Sequence, residues 1–507
     1  VSSATEPDTA RVLFMDSQNI NNSECPASFT QWTSIPHKPY SSGPLRLPSM
    51  RPSPECRTFV STAIEQVISN VTEKIKNPDI RQLFANTMAS TLDTAIAWHQ
   101  DDDSDKVPYT FVITGDINAQ WTRDSTNQMM PLVPYVQREE GLKKLVAGLI
   151  NMQAEQIAQY PFANAYQPPL RSKLLPSENS WAKSDRAVPQ FDPSRVFEAK
   201  FEIDSLAAFL KLSSAYWRQV GKMDFVDLDT WKLAIVGTLD LLVQLQQPTF
   251  DSEGAVQDAV FSFSRTASSG TETSFGHGRG NPVRRTGMVR SLFRPSDDSV
   301  IFPFFVPGNA MLSVELERLF QMLTSLGIMA REQKLAQQLA GEIRKGIMEH
   351  AVFEHPKHGK VFAFETDGYG SQIIMDDANV PSLLSLPYLG FVAANNTVYQ
   401  NTRRMVLSTD NPWFFSGKQI SGVGSPHTGF RKVWPMAVAI QALTSDSRED
   451  RVDAIGVLAS TTAGLALMHE SVDADEPAKF TRPWFAWCNG VFSELVIDTV
   501  ERFPGSI

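Results

Sequence analysis

Residues 58–96 read TFVSTAIEQVISNVTEKIKNPDIRQLFANTMASTLDTAI, and apolar residues recur in this stretch every three or four positions. The first run comprises Val60, Ile64, Val67, Ile68 and Val71, and the second comprises Leu83, Phe84, Met88, Leu92 and Ile96. Side chains at this spacing share one face of an α-helix. The stretch therefore predicts two consecutive amphipathic helices.

The same spacing recurs along most of the remaining chain. Similar segments lie at 126–137, 139–159, 203–219, 229–247, 309–326, 332–352, 380–394, 431–444, 449–469 and 487–500. Strand-like alternation is scarce, and β-branched runs such as 109–113 are short. About twelve helices, joined alternately by short turns and longer loops, predict an all-α chain folded as an (α/α)6 toroid with its active site at one end. A helical bundle protein of two domains is the alternative.

The composition is that of a globular protein. Of the 507 residues, 42% are hydrophobic and 20% are charged, which excludes wholesale disorder. No apolar run approaches the roughly 18 residues of a membrane-spanning helix, so we expect no membrane partner. The net charge of -10 argues against nucleic acid as a partner and favours a neutral substrate. No pattern in the sequence indicates an oligomeric state.

The N-terminal segment differs from the rest of the chain. It is rich in Pro and Ser and has little periodicity. We expect residues 1–57 to form an extended arm and residues 58–507 to form a single catalytic domain. The chain has three cysteines, too few for a disulfide scaffold, but Cys25 and Cys56 can pair and fasten this arm.

Two features favour a secreted protein or a protein of the secretory pathway. Acceptor sequences for N-linked glycans occur at Asn21, Asn70 and Asn395, which predicts a glycoprotein. The chain also starts with Val1 and not with Met, which favours a processed or trimmed chain.

The stretch Arg294-Pro295-Ser296-Asp297-Asp298 places two carboxylates on a proline-braced turn. Two adjacent like charges do not both ionise easily, and the apolar run 301–305 disfavours the charged form further. We therefore expect one carboxyl of the pair to hold a proton near neutral pH, as the general acid of glycosidic bond cleavage does. Taken alone, the pair is better explained by helix capping or by an ion pair with Arg294.

Residues 115–125, GDINAQWTRDS, combine Asp116 and Asp124 with Trp121 and Arg123. Arginine and carboxylates bind pairs of sugar hydroxyls, and an aromatic side chain packs on the C–H face of a pyranose ring. The mixture therefore indicates a sugar site. A helix cap at Asp124 with Arg123 as its surface partner explains part of the same pattern.

Other polar loops add candidates for contacts with sugar hydroxyls. Glu202 and Asp204 share one side of an extended segment, where they are either hydroxyl acceptors or a solvated edge. His427 lies in a glycine-rich segment without phosphate-binding spacing, and a structural role is the alternative. The remaining polar candidates are Arg294, Asp298 and Asp377.

Glu470 is the candidate general base. It ends a segment of helical spacing, and an acidic residue at a helix C-terminus opposes the helix dipole, which favours a functional role. Arg482 and Trp484 follow it in an aromatic run, so Arg482 is a candidate contact, and Trp484 joins Trp121 as a candidate ring platform. Glu494 is the reserve candidate for the base.

Pairs of aspartates raise the question of a metal. Asp376 and Asp377 adjoin Asn379, and aspartate pairs hold magnesium in isoprenoid cyclases built on a similar toroid. The spacing is not a recurring DDxxD, and Asp101, Asp102 and Asp103 are more simply a solvated helix end. We therefore predict neither a metal nor a cofactor.

Seven segments together resemble glycoside hydrolase family 125, the metal-independent exo-α-mannosidases. They are GDINAQWTRDS, FEIDSL, FRPSDD, DGYG with MDDANVPSLLSLPYLG, GSPHTG, MHES and FTRPWFAW. They follow one another in the order of that family from about Gly115 to Trp487, and the N-terminal arm lies outside the resemblance.

The resemblance implies an (α/α)6 fold and inverting release of mannose from the non-reducing ends of α-1,6-linked mannosides. It also implies that Asp297 is the general acid and Glu470 the general base, with Asp298 as the alternative acid. In an inverting enzyme the two carboxyls lie roughly 6.5–9.5 Å apart, with room for a water. A mannoside-binding protein without turnover and a metal-dependent isoprenoid cyclase are the alternative functions.

Overall fold

The computed structural model describes residues 25–101 and 107–507. Its α-helices are α1 (Phe29–Thr33), α2 (Thr62–Thr72), α3 (Pro78–Thr94), α4 (Thr122–Met129), α5 (Glu140–Gln159), α6 (Ile203–Val220), α7 (Leu228–Leu245), α8 (Phe275–Gly278), α9 (Val306–Leu326), α10 (Ala330–His350), α11 (Leu386–Leu389), α12 (Thr397–Val406), α13 (Pro435–Leu443), α14 (Arg448–Ser460) and α15 (Ala486–Arg502). Short 3-10 turns lie at Pro54–Cys56, Val133–Arg138, Leu170–Ser172, Trp181–Ser184 and Gly270–Glu272. The glycan acceptor Asn21 and the residues Asp102 and Asp103 lie outside the described residues.

The strands are short and pair in antiparallel ladders of two or three strands. They are β1 (Ile96–Gln100), β2 (Tyr109–Val112), β3 (Gln120–Trp121), β4 (Ala165–Tyr166), β5 (Arg186–Val188), β6 (Val196–Glu198), β7 (Ser262–Ser264), β8 (Phe304–Phe305), β9 (Val352–His355), β10 (Gly359–Phe362), β11 (Glu365–Thr366), β12 (Gln372–Ile373), β13 (Phe414–Ser416), β14 (Ser421–Val423), β15 (Lys432–Val433), β16 (Ser471–Asp473) and β17 (Phe480–Thr481). In the part of the chain that the structure describes, no helix is long and apolar enough to span a membrane.

Twelve of the described helices form two concentric rings. The inner ring contains α4, α6, α9, α11, α13 and α15, and α3, α5, α7, α10, α12 and α14 lie outside it. Helix α4 packs on α6 and on α15, so the first and last inner helices meet and close the ring. Every residue of α4 is buried, whereas α10 buries only one stripe. The predicted (α/α)6 toroid is confirmed.

Local sequence sets where several helices begin and end. Asn77 caps α3 by accepting a hydrogen bond from the backbone N–H of Asp79 at 2.9 Å, and Pro78 occupies the first helical position. Helix α6 ends at Gly221 and α9 ends at Gly327, both in the left-handed conformation that glycine adopts without steric cost.

Three predicted helices are much shorter than their sequence spacing suggested, and a fourth, 431–444, begins only at Pro435 as α13. The segment 126–137 forms α4 and a 3-10 turn, 380–394 forms only α11, and 449–469 ends at Ser460. Prolines interrupt the first two segments. In the third, Ala463 and Ala466 adopt positive φ angles of 49° and 47°, so the chain turns although its residues are apolar. Helix α12 was not predicted.

The described part of the N-terminal segment packs on α2 and α3. A disulfide joins Cys25 to Cys56. Asn86 of α3 accepts a hydrogen bond from the backbone N–H of Met50 at 3.0 Å. Arg51 lies 2.6 Å from Asp93 of the same helix. These contacts seat the segment beside the junction of α3 with α15.

Candidate active site

The ends of the inner helices surround a cavity. Its lining residues are Thr114, Ile117, Trp121, Arg123, Asp124, Pro295, Ser296, Asp297, Asn379, His427, Trp434, Glu470, Arg482, Phe485 and Trp487. Several of them lie at the N-termini of α4, α13 and α15, where the helix dipole favours negative charge. The fold therefore brings sequence-distant motifs together at one end of the ring, as predicted.

Asp297 lies on the cavity wall in an unusual backbone conformation. Its φ is 63°, in the left-handed region that Asn and Asp tolerate better than most residues. Its Oδ1 accepts hydrogen bonds from Trp121, Arg123 and Asn164, each at 3.3 Å. Its side chain is 22% exposed, whereas that of Asp298 is 2% exposed. Of the two neighbouring carboxyls, Asp297 is therefore the one that a substrate in the cavity can reach.

Arg123 lies in a buried cluster of carboxyl groups. It contacts Glu202 at 2.6 Å, Asp204 at 3.4 Å and Asp124 at 3.1 Å. Burial raises the pKa of Asp124 and of Asp204 to about 6, although Arg123 lowers both. The expectation that Glu202 and Asp204 accept hydrogen bonds from sugar hydroxyls is wrong, because both side chains are 0% exposed behind Arg123.

The sequence led us to expect that Asp297 or Asp298 holds a proton near neutral pH, but the pKa of both carboxyls is lowered. Burial alone would raise the pKa of Asp297, but Arg123 and a hydrogen bond from Glu202 outweigh it and hold the pKa at about 2. Burial raises the pKa of Glu202 well above its ordinary value. The two shifts are opposite in direction, so Glu202 holds a proton more tightly than Asp297 does.

Asp298 and His427 form a second charged pair. The Nδ1 of His427 lies 3.5 Å from Oδ1 of Asp298. Burial lowers the pKa of His427, but Asp298 outweighs that effect and raises it to about 9. The same histidine and Arg294 hold the pKa of Asp298 below its ordinary value despite burial. The cavity therefore presents an imidazolium at neutral pH.

Glu470 faces the same cavity from a loop. Arg482 donates a hydrogen bond from Nε to Oε1 of Glu470 at 3.0 Å, and its Nη1 donates to Asp116. Arg482 itself has a φ of 55°. The expected helix end at Glu470 is wrong, because α14 ends ten residues earlier at Ser460. The helix dipole therefore does not support a functional role for Glu470. The observation that supports this role is that Glu470 lines the cavity.

The neighbouring His469 is a structural residue. It is buried and stacks on Phe480 with ring centroids 3.9 Å apart. Burial lowers its pKa to about 4, so its ring is neutral at physiological pH. Its Nδ1 lies 3.0 Å from the backbone oxygen of Arg482. In the tautomer with a proton on Nδ1, His469 donates a hydrogen bond to this oxygen and fixes Arg482 in its positive-φ conformation.

Aromatic side chains form much of the remaining wall. Trp121, Trp434, Phe485 and Trp487 line the cavity. Trp484 was expected to be a ring platform, but it is not among the lining residues, and its ring packs against Gly115. Gly115 has a φ of 134°, and a Cβ there would lie 2.9 Å from the Trp484 ring.

Arg294 and Asp377 support the wall from behind. Arg294 lies 3.2 Å from Glu365 and 3.3 Å from Asp377. Asp377 also accepts a hydrogen bond from Ser425, two residues before His427. Both were expected to bind substrate, but neither lines the cavity. Their contacts instead position the loops that carry Asp297 and His427.

The other carboxylates considered from sequence lie elsewhere. Asp376 is buried and accepts hydrogen bonds from the backbone N–H groups of Leu383 and Leu384 at 2.8 and 2.9 Å. This shaped turn explains the aspartate without a metal ligand role. The reserve base Glu494 accepts a hydrogen bond from Tyr388 at 2.7 Å and does not line the cavity.

Sequence reasoning missed several residues of the site. Asn164 donates to Asp297, and Lys200 donates to the backbone oxygen of Asp297 at 2.8 Å. Trp434 and Trp487 are cavity residues that were not selected. Trp487 lies in the same aromatic run as Trp484, and both side chains are 1% exposed, so no signal in the sequence separated the two.

A family model and a solved structure identify the same family. The family model described as metal-independent alpha-mannosidase (GH125) matches residues 77–497. The meiotically up-regulated gene 157 protein of Schizosaccharomyces pombe is 47% identical over 496 residues, which cover 97% of this chain and 96% of that protein. A solved structure of a metal-independent α-mannosidase from Streptococcus pneumoniae, in a non-productive complex with α-1,6-mannobiose, is 32% identical with a TM-score of 0.78. That match covers 88% of this chain and 99% of the other.

Proposed function

The chain belongs to glycoside hydrolase family 125, the metal-independent α-mannosidases, and from this premise we propose that it is an exo-acting, inverting enzyme that releases mannose from the non-reducing ends of α-1,6-linked mannosides. The observation that carries the proposal is the placement of two carboxylates, Asp297 and Glu470, on one aromatic and cationic cavity. The proposal needs no cofactor, because side chains supply both the acid and the base.

Asp297 acts as the general acid in this proposal. It protonates the glycosidic oxygen as the bond to the anomeric carbon breaks, so the leaving sugar departs as a neutral alcohol. Its partial exposure and its three donors at 3.3 Å support this role, since they hold the carboxyl at the wall in a fixed orientation.

Glu470 acts as the general base. It takes a proton from a water, whose oxygen attacks the anomeric carbon from the face opposite the leaving group. The bond from Arg482 supports this role, because a guanidinium on one carboxylate oxygen fixes the group and leaves the other oxygen for the water. Inversion requires the two carboxyls to lie roughly 6.5–9.5 Å apart, whereas retention requires about 5–5.5 Å.

The substrate in this proposal is a mannose-containing oligosaccharide or glycan. Trp434, Phe485 and Trp487 offer aromatic faces for the C–H side of a pyranose ring. Arg482 and His427 offer donors to its hydroxyls. The linkage is proposed by analogy with the pneumococcal relative, whose solved complex contains α-1,6-mannobiose.

Proton NMR of the chain digesting α-1,6-mannobiose tests the proposal. With a chelator present, β-mannose is expected as the first product, because attack opposite the leaving group inverts the α-anomer. First appearance of α-mannose would overturn inversion and recast Glu470 as a nucleophile. No release from α-1,6-, α-1,2- or α-1,3-mannobiose would leave a binding protein as the better description.

We also propose that the protein passes through the secretory pathway, with residues 1–57 as an arm on a single catalytic domain formed by residues 58–507. The disulfide between Cys25 and Cys56 supports an oxidising compartment, and the glycan acceptors Asn70 and Asn395 are exposed. Treatment of the protein from its native host with an N-glycosidase is expected to increase its gel mobility. Unchanged mobility, together with free thiols at both cysteines, would contradict the proposal.

A further inference from the structure

We propose that Glu202 and Asp297 share one proton, and that Glu202 is the positioning residue that keeps the acid supplied with it. This inference rests on the proposed function, in which Asp297 protonates the leaving oxygen. It resolves a conflict within the site. The groups around Asp297 favour its ionised form, although the reaction needs a protonated carboxyl at this position.

The contacts of Glu202 leave room for a shared proton. Its Oε2 accepts a hydrogen bond from Arg123 at 2.6 Å. Its Oε1 is buried and receives no hydrogen bond from any donor in residues 25–101 and 107–507. The Glu202 and Asp297 carboxyls bind the Nη1 and Nη2 nitrogens of the same guanidinium, that of Arg123, at 2.6 and 3.3 Å. Since two carboxylates repel at such range, a proton between them is the arrangement that satisfies both.

The charges around the pair favour retention of that proton. Glu202, Asp124, Asp204 and Asp297 all face Arg123, whose single positive charge cannot balance four carboxylates. His427 acts on Asp297 from the cavity side, and Lys200 approaches Asp297 through its backbone oxygen. The four carboxyls therefore keep at least one proton in this buried setting.

Geometry sets the direction of transfer. Glu202 is 0% exposed and Asp297 is 22% exposed, so only Asp297 can reach a glycosidic oxygen. As negative charge develops on that oxygen, the shared proton passes from Glu202 to Asp297 and from Asp297 to the oxygen. The bond between the anomeric carbon and the oxygen breaks, the leaving sugar keeps the proton, and Glu202 is left ionised. Water loses a proton to Glu470 and adds to the anomeric carbon. After product release, Glu470 returns its proton to solvent and the pair regains one through Asp297.

The test compares two variants on two substrates. Glu202→Gln removes the proton and keeps the shape, and Asp204→Asn is the matched control, because Asp204 contacts the same Arg123 at 3.4 Å. The substrates are α-1,6-mannobiose, whose leaving group needs protonation, and 2,4-dinitrophenyl α-mannoside, whose leaving group does not. The measurements are kcat against pH and the melting temperature of each variant.

Glu202→Gln is expected to lower kcat on mannobiose by about 10²–10⁴-fold, and on the dinitrophenyl substrate by less than about tenfold. The alkaline limb of its pH profile is expected to move to lower pH, because Asp297 alone holds a proton only in acid. Asp204→Asn is expected to lower kcat on both substrates by the same factor without moving the limb. Equal losses on both substrates in Glu202→Gln, with an unmoved limb, would overturn the inference.

Infrared spectroscopy detects a protonated carboxyl in the protein without substrate. It therefore tests the shared proton independently of whether the protein hydrolyses mannosides. The wild-type protein at pH 7 is expected to show a protonated-carboxyl stretch that is lost in the Glu202→Gln difference spectrum. An unchanged band would overturn the shared proton even if the wild type releases mannose. If the band is lost but wild type cleaves neither substrate, the proton assignment stands and the proposed function fails. Should Glu202→Gln fail to fold, the same spectrum is taken with Asp297→Asn, which is expected to shift the Glu202 band.

Discussion

Arg482 donates a hydrogen bond to Glu470 at 3.0 Å, and the same guanidinium also donates to Asp116. Arg482 thus links the candidate base to the loop of residues 115–125. Two donors in one planar group orient both carboxylates, which a lysine ammonium cannot do with the same geometry.

We expect Arg482→Lys to lower kcat on α-1,6-mannobiose by about 10²-fold, because misplacement of a catalytic group by roughly 1 Å costs that much. Arg431→Lys is the matched control. Arg431 also has a positive φ, 60° against 55°, but it pairs with Asp475 at the surface. Its replacement is expected to leave kcat unchanged, and an equal loss in both variants would assign the effect to backbone strain.

Asp297→Asn is expected to lower kcat on mannobiose by about 10²–10⁴-fold while the melting temperature changes little. Asn is the informative replacement, since it tolerates a φ of 63°, whereas alanine would be strained at this angle. The loss is expected to shrink on 2,4-dinitrophenyl α-mannoside. Asp298→Asn is expected to affect both substrates alike, and the reverse pattern would make Asp298 the acid.

Glu470→Gln is expected to lower kcat by about 10²–10⁴-fold on both substrates, because activation of water is needed whatever the leaving group. Added azide, a nucleophile that needs no base, is expected to restore turnover of the dinitrophenyl substrate and to form β-mannosyl azide. Near-full activity without azide would move the base to another carboxylate. Asp116 would then be tested next, because it binds the same guanidinium as Glu470, whereas Glu494 is hydrogen-bonded to Tyr388.

His427 is expected to make stability fall with rising pH. Its pKa is about 9 in the folded protein and about 6.5 when unperturbed, so its contribution is complete below pH 6.5 and is lost as pH rises through 9. The charged groups that face it are Asp298, Glu470 and Asp297. We expect the difference in melting temperature between wild type and His427→Gln to narrow from pH 6 to pH 9.5. A constant difference would contradict the charged pair.

Loss of the disulfide is expected to loosen the N-terminal segment. The two cysteines are separated by 31 positions, and closing such a loop stabilises the folded state by roughly 2–4 kcal/mol. We expect Cys25→Ser with Cys56→Ser to expose residues 25–57 to proteolysis while the toroid keeps its helical content. Cys488→Ala, which changes the buried free thiol of α15, serves as the control. Equal protease resistance in all three proteins would contradict this role.

Helical spacing predicted the ring well where helices pack all along their length. The segment 139–159 and α5 nearly coincide, as do 203–219 and α6. The spacing failed at 461–469, which is apolar because it is a buried loop inside the toroid and not because it is a helix. Asn86 of α3 donates to the backbone oxygen of Ala466 at 3.0 Å and helps to hold this loop. Only the tertiary fold supplies that partner.

The candidate site could be predicted as a set of residues but not as an arrangement. Residue type and spacing selected Glu470 and the pair Asp297 and Asp298, and the family resemblance chose Asp297 within the pair. Asp297 and Glu470 both line the cavity. The sequence does not show which side chains of the site are exposed. Glu202 and Asp204 were therefore grouped with the residues of the cavity wall, although both are buried and paired with Arg123. Protonation depends on those same distances, which is why the proton could not be assigned from sequence.

Closure of the ring has a consequence for the order of synthesis. Helix α15 is the last of the described helices along the chain, yet it supplies Trp487 to the cavity. Its Asn489 accepts from the backbone N–H of Met468 at 2.8 Å and donates to Ser90 of α3 at 3.1 Å. A nascent chain that has not yet released α15 from the ribosome therefore carries Asp297, but it lacks one cavity wall and the anchor of the Glu470 loop. The cavity is therefore complete only after this late helix has packed against the first ones, so a chain still being synthesised lacks a finished site.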